Sequence, residues 1–144
     1  MAYHLLLADD DTDDCIFFKE VLEELSIDAK LTTVKDGIEL MHFLNQNADN
    51  LPDVLFLDLN MPRKKGSDCL CEIKSNEKLK QLPVIIYSTS FDPVIAASLY
   101  ENGAHYYICK PADFTELIKT IREAIEITRK DARKPAKEKF LIQA

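Results

Sequence analysis

The chain has no apolar run of membrane-spanning length, and no basic-plus-apolar leader stands before its first apolar segment. Both absences predict a cytoplasmic protein without a membrane partner. It has no surplus of positive charge. Eighteen Lys and Arg stand against 25 Asp and Glu, a formal charge of −7, which excludes nucleic acid as a general partner. Cysteine is sparse: Cys15, Cys69, Cys71 and Cys109 are scattered, and the nearest pair is spaced Cys-x-Cys, neither a zinc knuckle nor a redox pair. His4, His42 and His105 share no ligand-type spacing with them, so transition-metal chemistry finds no support, and all four thiols are read as reduced and buried or half-buried. No internal repeat, low-complexity tract or linker precedes Lys130. With 144 residues, 47% of them hydrophobic, one domain with a real core fits and a second does not.

What is present is an alternation. Short apolar runs rich in branched or aromatic residues occur at Tyr3 to Ala8, Lys30 to Val34, Asp53 to Asp58, Val84 to Ser88 and His105 to Cys109. Between them apolar residues recur at helical spacing, as in Cys15-Ile16-Phe18-Val21-Leu22-Leu25, Ile38-Met41-Phe43-Leu44, Cys69-Leu70-Ile73 and Val94-Ala97-Leu99. A last stripe runs from Phe114 to Thr128. Asp36 with Glu39 and Asp113 with Glu116 have capping-box spacing, and Asp92-Pro93 reads as an N-cap followed by Pro at the first helical position. Strand-helix alternation at this pitch predicts right-handed crossovers and a parallel sheet with helices on both faces. The domain spans 1–130, and 131–144 forms a basic tail. From Arg129 onward six Lys or Arg face two acids, a surplus of +4, which leaves −11 on the rest of the chain. The tail reads as a solvated end or as an arm whose tip, Phe140-Leu141-Ile142, wants a surface to cover it.

The chemistry-bearing residues share one position in this pattern, the downstream end of an apolar run. Asp9 and Asp10 follow the first, Asp58 the third, Ser88 the fourth and Lys110 the fifth. In open α/β sheets ligands bind outside the carboxyl ends of the strands, so these groups meet at one edge. Three carboxylates there repel one another unless a cation intervenes, and hard oxygen donors with room for water suit Mg²⁺. Taken singly, Asp9 or Asp10 serves equally well as a strand-end or helix-capping residue, and Asp11, Asp13 and Asp14 suit the first helical turn. The coincidence with Asp58 favours function. Asp58 opens the loop Asp-Leu-Asn-Met-Pro-Arg-Lys-Lys-Gly, where a carboxylate can act as a nucleophile toward phosphorus if positive charge offsets the incoming anion. Lys110 and Mg²⁺ supply that charge. Alone, Lys110-Pro111 marks the turn into a helix, Ser88 a local hydrogen-bond partner and Tyr107 core filler. Beside Asp58, Ser88 can donate to a phosphoryl oxygen, and the space it vacates can admit the Tyr107 ring. Tyr87, Phe91 and Tyr100 are placed around the same surface.

These segments are similar to the receiver domain of two-component response regulators from about Tyr3 to Thr128. The match lies in Leu-Leu-Leu-Ala-Asp-Asp-Asp, Asp-Leu-Asn-Met-Pro with Gly66, Pro-Val-Ile-Ile-Tyr-Ser, and Gly-Ala-His-Tyr-Tyr-Ile-Cys-Lys-Pro. The resemblance implies a flavodoxin-like fold with a five-stranded parallel sheet in the order 2-1-3-4-5. It implies Asp58 as phosphoacceptor, with Asp10, Asp58 and the Asn60 main-chain carbonyl as Mg²⁺ ligands and Asp9 acting largely through metal-bound water. It further implies Ser88 as switch hydroxyl, Tyr107 as switch aromatic, Lys110 as phosphoryl-binding lysine and a cis Lys110-Pro111 bond. Ser88 where Thr is commoner, and Tyr87 where an aliphatic residue is usual, are departures. Met61-Pro62-Arg63-Lys64-Lys65 is similar to the stand-alone regulators paired with phytochrome-like kinases.

The function so implied is a single-domain response regulator in a phosphorelay, not an enzyme acting on a free substrate. Its partners would be a sensor histidine kinase or histidine phosphotransfer protein, a downstream protein target met through the fourth helix, fifth strand and fifth helix, and a second copy in a homodimer. An Asp-nucleophile phosphohydrolase is disfavoured because Asn60 stands where its acid/base carboxylate belongs. An interaction module that ignores phosphorylation is disfavoured by the intact set of Asp9, Asp10, Asp58, Ser88 and Lys110, and a flavin protein by the lack of a Gly- or hydroxyl-rich loop after the first strand.

Overall fold

The computed structural model describes residues 2–142. The elements run β1 (Tyr3–Ala8), α1 (Thr12–Leu25), β2 (Ala29–Val34), α2 (Gly37–Gln46), β3 (Val54–Leu57), α3 (Gly66–Ser75), β4 (Val84–Ser88), α4 (Pro93–Glu101), β5 (Tyr106–Cys109), α5 (Phe114–Lys130), a 3-10 turn (Lys137–Lys139) and β6 (Leu141–Ile142). All neighbouring strands are parallel, in the order β2-β1-β3-β4-β5-β6. The flavodoxin-like arrangement expected from the alternation is present, with six strands instead of five.

Strand alternation divides the core in two. Leu5, Leu7, Phe56, Ile85 and Ile108 pack against Phe18, Val21 and Leu22 of α1 and Leu117, Ile121 and Ile125 of α5. Leu6, Leu55, Leu57, Ile86 and Tyr107 pack against Leu40 and Leu44 of α2, Leu70 and Ile73 of α3, and Leu99 of α4. A sheet covered on both faces accounts for the uninterrupted apolar runs of β3 and β4, all of whose residues are buried. The Asp caps at Asp36, Asp92 and Asp113 accept from the helical N–H groups as their spacing predicts.

Four helical stripes are corrected at their edges, that of α5 at Phe114, which is 38% exposed. In α1 Ile16 points outward; in α2 Leu40 takes the core position and Ile38 is 45% exposed; in α4 Ala96 and Leu99 are buried while Val94 is 80% exposed. Each helix rests on the sheet along a strip narrower than its apolar stripe. Two cysteines also depart from expectation. Cys69 is buried and Cys15 half-buried, but Cys71 lies on the outer side of α3 and Cys109 at the open end of β5, both exposed. Burial pushes the Cys69 thiol up to about 11, so it stays protonated.

The tail folds back. Tyr107 N–H donates to the Phe140 carbonyl at 2.9 Å, and Leu141 and Ile142 pair with Tyr107 and Ile108. Phe140 meets the rings of Tyr100 and Tyr107 edge-on at 5.3 and 6.2 Å, and Tyr100 donates to the Pro135 carbonyl at 2.7 Å. The apolar tip therefore covers the free edge of β5 within its own chain. Residues 143 and 144 of the tail lie outside the described residues.

Candidate functional site

Register alone brings the key carboxylates together. Ala8 is paired with Leu57, so Asp9 and Asp58 leave adjacent strands side by side, and Ser88 is paired with Cys109, which puts Lys110 one residue beyond. Parity then sorts their faces. Asp9, Asp58 and Lys110 continue the alternation that faces α1 and α5, whereas Ser88 and Tyr107 continue the one that faces α4. Asp9 is fully buried, Asp58 nearly so, and Asp10 is exposed. One oxygen from each of Asp9, Asp10 and Asp58 lies within 4.8 Å of the others, and this is the one such cluster of possible metal ligands among the described residues.

Lys110 lies against this cluster with its side chain 8% exposed. Its ammonium donates to Asp9 Oδ2 and Asp14 Oδ2, each at 2.7 Å, and stands 3.9 Å from Asp58 Oδ2. Burial draws its pKa down, but the bonds to Asp14 and Asp9 outweigh that, so the pKa is raised and the cation is kept. For Asp9 the balance goes the other way. Burial, reinforced by the charge of Asp58, pushes it up to about 6 against the bonds from Lys110 and the Asp11 N–H. One ammonium is thus too little positive charge for the carboxylates gathered here. Convergent hard oxygen donors, one of them solvent-exposed and open to water, fit a divalent cation of the Mg²⁺ type.

The Asp58 loop is held from behind. Asn60 N–H donates to Asp58 Oδ1 at 3.3 Å, Met61 is buried, and Gly66 N–H donates to the Leu59 carbonyl at 3.1 Å. A Cβ at Gly66 would lie 2.2 Å from the Asp58 carbonyl oxygen, so only glycine lets α3 begin there. The edge thus presents one nearly buried carboxylate, a cation within 4 Å of it and an oxygen cluster for a metal.

Known proteins share this fold. The family model described as the response regulator receiver domain matches residues 5–122. The chain belongs to the response regulator receiver family. Among its relatives is the response regulator Rcp1 of Synechocystis sp., 36% identical over 124 residues, covering 82% of this chain and 83% of that one. The crystal structure of the Mn²⁺-bound form of Rcp1 superposes with a TM-score of 0.80 at 31% identity over 93% of this chain and 99% of the other. That of the phosphorylated cyanobacterial phytochrome response regulator RcpA gives 0.80 at 32% identity, over 91% and 96%. This chain is accordingly a receiver of phosphorelay signalling, homologous to single-domain response regulators. No helix among the described residues is long and apolar enough to cross a membrane.

Several receiver features differ from what the sequence led us to expect. The Lys110-Pro111 bond is trans, as are all peptide bonds among the described residues. With Lys110 N–H donating to the Ser88 carbonyl at 2.7 Å, the extended side chain reaches Asp9 and Asp14 without a cis turn. The Tyr107 ring is already inside, 1% exposed, beside a fully buried Ser88, so no vacated space is needed to admit it. Its hydroxyl donates to the Ser90 carbonyl, and burial raises its pKa. The other aromatics separate. Phe91 meets Tyr107 edge-on at 5.3 Å, whereas Tyr87 lies on the opposite face against Phe18 and Phe56, 4.9 Å from the Lys110 ammonium, and Tyr100 belongs to the tail contact.

Asp14 is the site residue that sequence reading missed. Asp11 is the N-cap of α1, accepting from the Asp13 and Asp14 N–H groups, but the Asp14 carboxylate turns away from the helix end to Lys110. The available signal was spacing: a residue one turn into α1, on the face the sheet edge shares, comes within reach of Lys110.

Proposed function

We propose that the receiver accepts a phosphoryl group on Asp58 from the phosphohistidine of a sensor histidine kinase or a histidine phosphotransfer protein. The observation that carries this reading is Asp58 itself, nearly buried at the sheet edge, 3.9 Å from the Lys110 ammonium and within 4.8 Å of the oxygens of Asp9 and Asp10. An Asp58 carboxylate oxygen attacks phosphorus, the P–N bond to imidazole breaks, and its electron pair leaves on the imidazole nitrogen. Lys110 stabilises the added negative charge, and the Ser88 hydroxyl donates to a phosphoryl oxygen. Asp10, Asp58 and the Asn60 carbonyl would hold Mg²⁺, with Asp9 acting through water, and the bound ion would supply further positive charge at the phosphoryl oxygens. Receivers assist phosphoryl transfer by positioning and charge, and this edge is equipped for both.

The phosphoryl group adds about 1.5 to 2 negative charges and strong acceptors next to Ser88. Ser88 and Tyr107 carry that change toward α4, Phe91 and the tail strand, where a downstream protein reads it. A homodimer and a cytoplasmic location fit this reading. Intact-mass analysis after incubation with acetyl phosphate and Mg²⁺ tests it. A gain of one phosphate in the wild-type chain, absent in Asp58→Asn, is expected; an unmodified wild type, or a gain that survives in Asp58→Asn, refutes it.

A further inference from the structure

The loop from Asp58 to Gly66 has to bring one carboxylate and one main-chain carbonyl to the sheet edge, yet it has little regular structure of its own. Besides the Gly66–Leu59 bond, its own backbone is closed by a tight turn in which Lys64 N–H donates to the Pro62 carbonyl at 2.7 Å. Between them Arg63 has φ +68. The other non-glycine residue with positive φ among the described residues is Ser26, which caps the C-terminus of α1, where that conformation is ordinary. Arg63 caps nothing. A long side chain stays in the left-handed region only when its surroundings over-determine it.

Those surroundings are the first residues of α2. Arg63 Nε stands 3.5 Å from Asp36 Oδ2, while Asp36 Oδ1 accepts the Glu39 N–H at 2.8 Å as the cap of that helix. The ion pair alone is weak, since the Arg63 side chain is 61% exposed. The next residue is in close backbone contact with the same helix start. The Lys64 carbonyl lies so close to Gly37 that a Cβ there would be 2.3 Å from its oxygen and 2.8 Å from Cys69 Sγ, which itself donates to the Gly37 carbonyl at 3.7 Å. Lys64 also pairs with Glu72 of α3. The loop is therefore fastened at two consecutive residues to the start of α2, an element that contributes no side chain to the carboxylate cluster. The anchor lies three residues from Asn60 and five from Asp58.

We infer that Gly37 and the Arg63–Asp36 pair are positioning residues that hold the Asp58–Gly66 loop in the geometry needed for divalent-cation binding at the sheet edge. The inference rests on the reading of the edge as an Mg²⁺-assisted phosphoacceptor site. It makes the strain at Arg63 the cost of a fixed loop: relaxing the loop makes the metal-free protein no less stable and the site less well formed.

The test is Mg²⁺ titration by calorimetry, with metal-free thermal melting alongside, on the full chain and on Arg63→Gly, Asp36→Asn, Gly37→Ala and the Arg63→Gly/Asp36→Asn double variant. Arg63→Gly adopts φ +68 without strain. It is expected to melt at or above the wild-type temperature and yet to bind Mg²⁺ about two- to fivefold more weakly, the range that an exposed ion pair can supply. The double variant is expected to bind no more weakly than Arg63→Gly, and Gly37→Ala to lose affinity and stability together. Wild-type affinity in both Arg63→Gly and Asp36→Asn overturns the inference, as does a lower melting temperature of Arg63→Gly with unchanged affinity. A wild-type chain that takes up no Mg²⁺ overturns the reading of the site and this inference with it.

Discussion

Replacing Phe140 with alanine is a direct test of whether the tail is part of the folded body. The ring is 6% exposed and meets Tyr100 and Tyr107 edge-on. Phe→Ala in a protein core costs about 3–5 kcal/mol, and a site near a chain end can partly collapse, which sets the expectation at about 3 kcal/mol. With an unfolding entropy of about 2.1 cal/mol/K per residue, a chain of this length loses about 3 °C per kcal/mol, so the midpoint should fall by about 10 °C. Thermal melting followed by circular dichroism measures it, with Lys139→Ala, an exposed neighbour on the same turn, as the control that should stay within about 0.5 kcal/mol. If the tail detaches before the body unfolds, the midpoint moves less, but the Tyr107 amide, which donates to the Phe140 carbonyl at 2.9 Å, then exchanges faster with solvent. A midpoint within about 2 °C of wild type, together with unchanged exchange at Tyr107, would refute the docked tail.

Two further outcomes follow from the charges. Asp10 is exposed and adds to a repelling cluster, so under the proposed Mg²⁺ site Asp10→Asn should leave the metal-free midpoint unchanged or slightly raised while abolishing the Mg²⁺ stabilisation expected of the wild type, about 2.7 kcal/mol at a hundredfold excess over Kd; melting with and without Mg²⁺ checks both halves. His105 is buried, and burial first, with the Lys74 charge second, pushes its imidazole down to about 4. Its unfolded form titrates near 6.5, so between those values the unfolded state binds the extra proton. The contribution of about 3 kcal/mol is whole above about pH 6.5 and is lost as the pH falls toward 4. Denaturant unfolding across that window should show the slope in wild type and a flatter one in His105→Gln; equal slopes would sink the assignment.

The alternation of apolar runs and helical stripes determined the layered parallel sheet, because period 2 and period 3.6 are properties of the chain itself. The same local chemistry determined the caps at Asp36, Asp92 and Asp113, and the placing of Asp9, Asp10, Asp58, Ser88 and Lys110 at strand ends marked the edge where they meet. What lay beyond the sequence were facts about which surfaces come into contact. Whether Phe140-Leu141-Ile142 frays or pairs depends on a free β5 edge, and whether Ile38 or Leu40 faces the core depends on how narrowly α2 rests on the sheet. Asp14 joins Lys110 across 96 residues because α1 shares a face with the sheet edge. The start of α2 holds the Asp58 loop because Gly37 lets another backbone come close. Periodicity is written locally in the chain; proximity between distant segments exists only once they are packed.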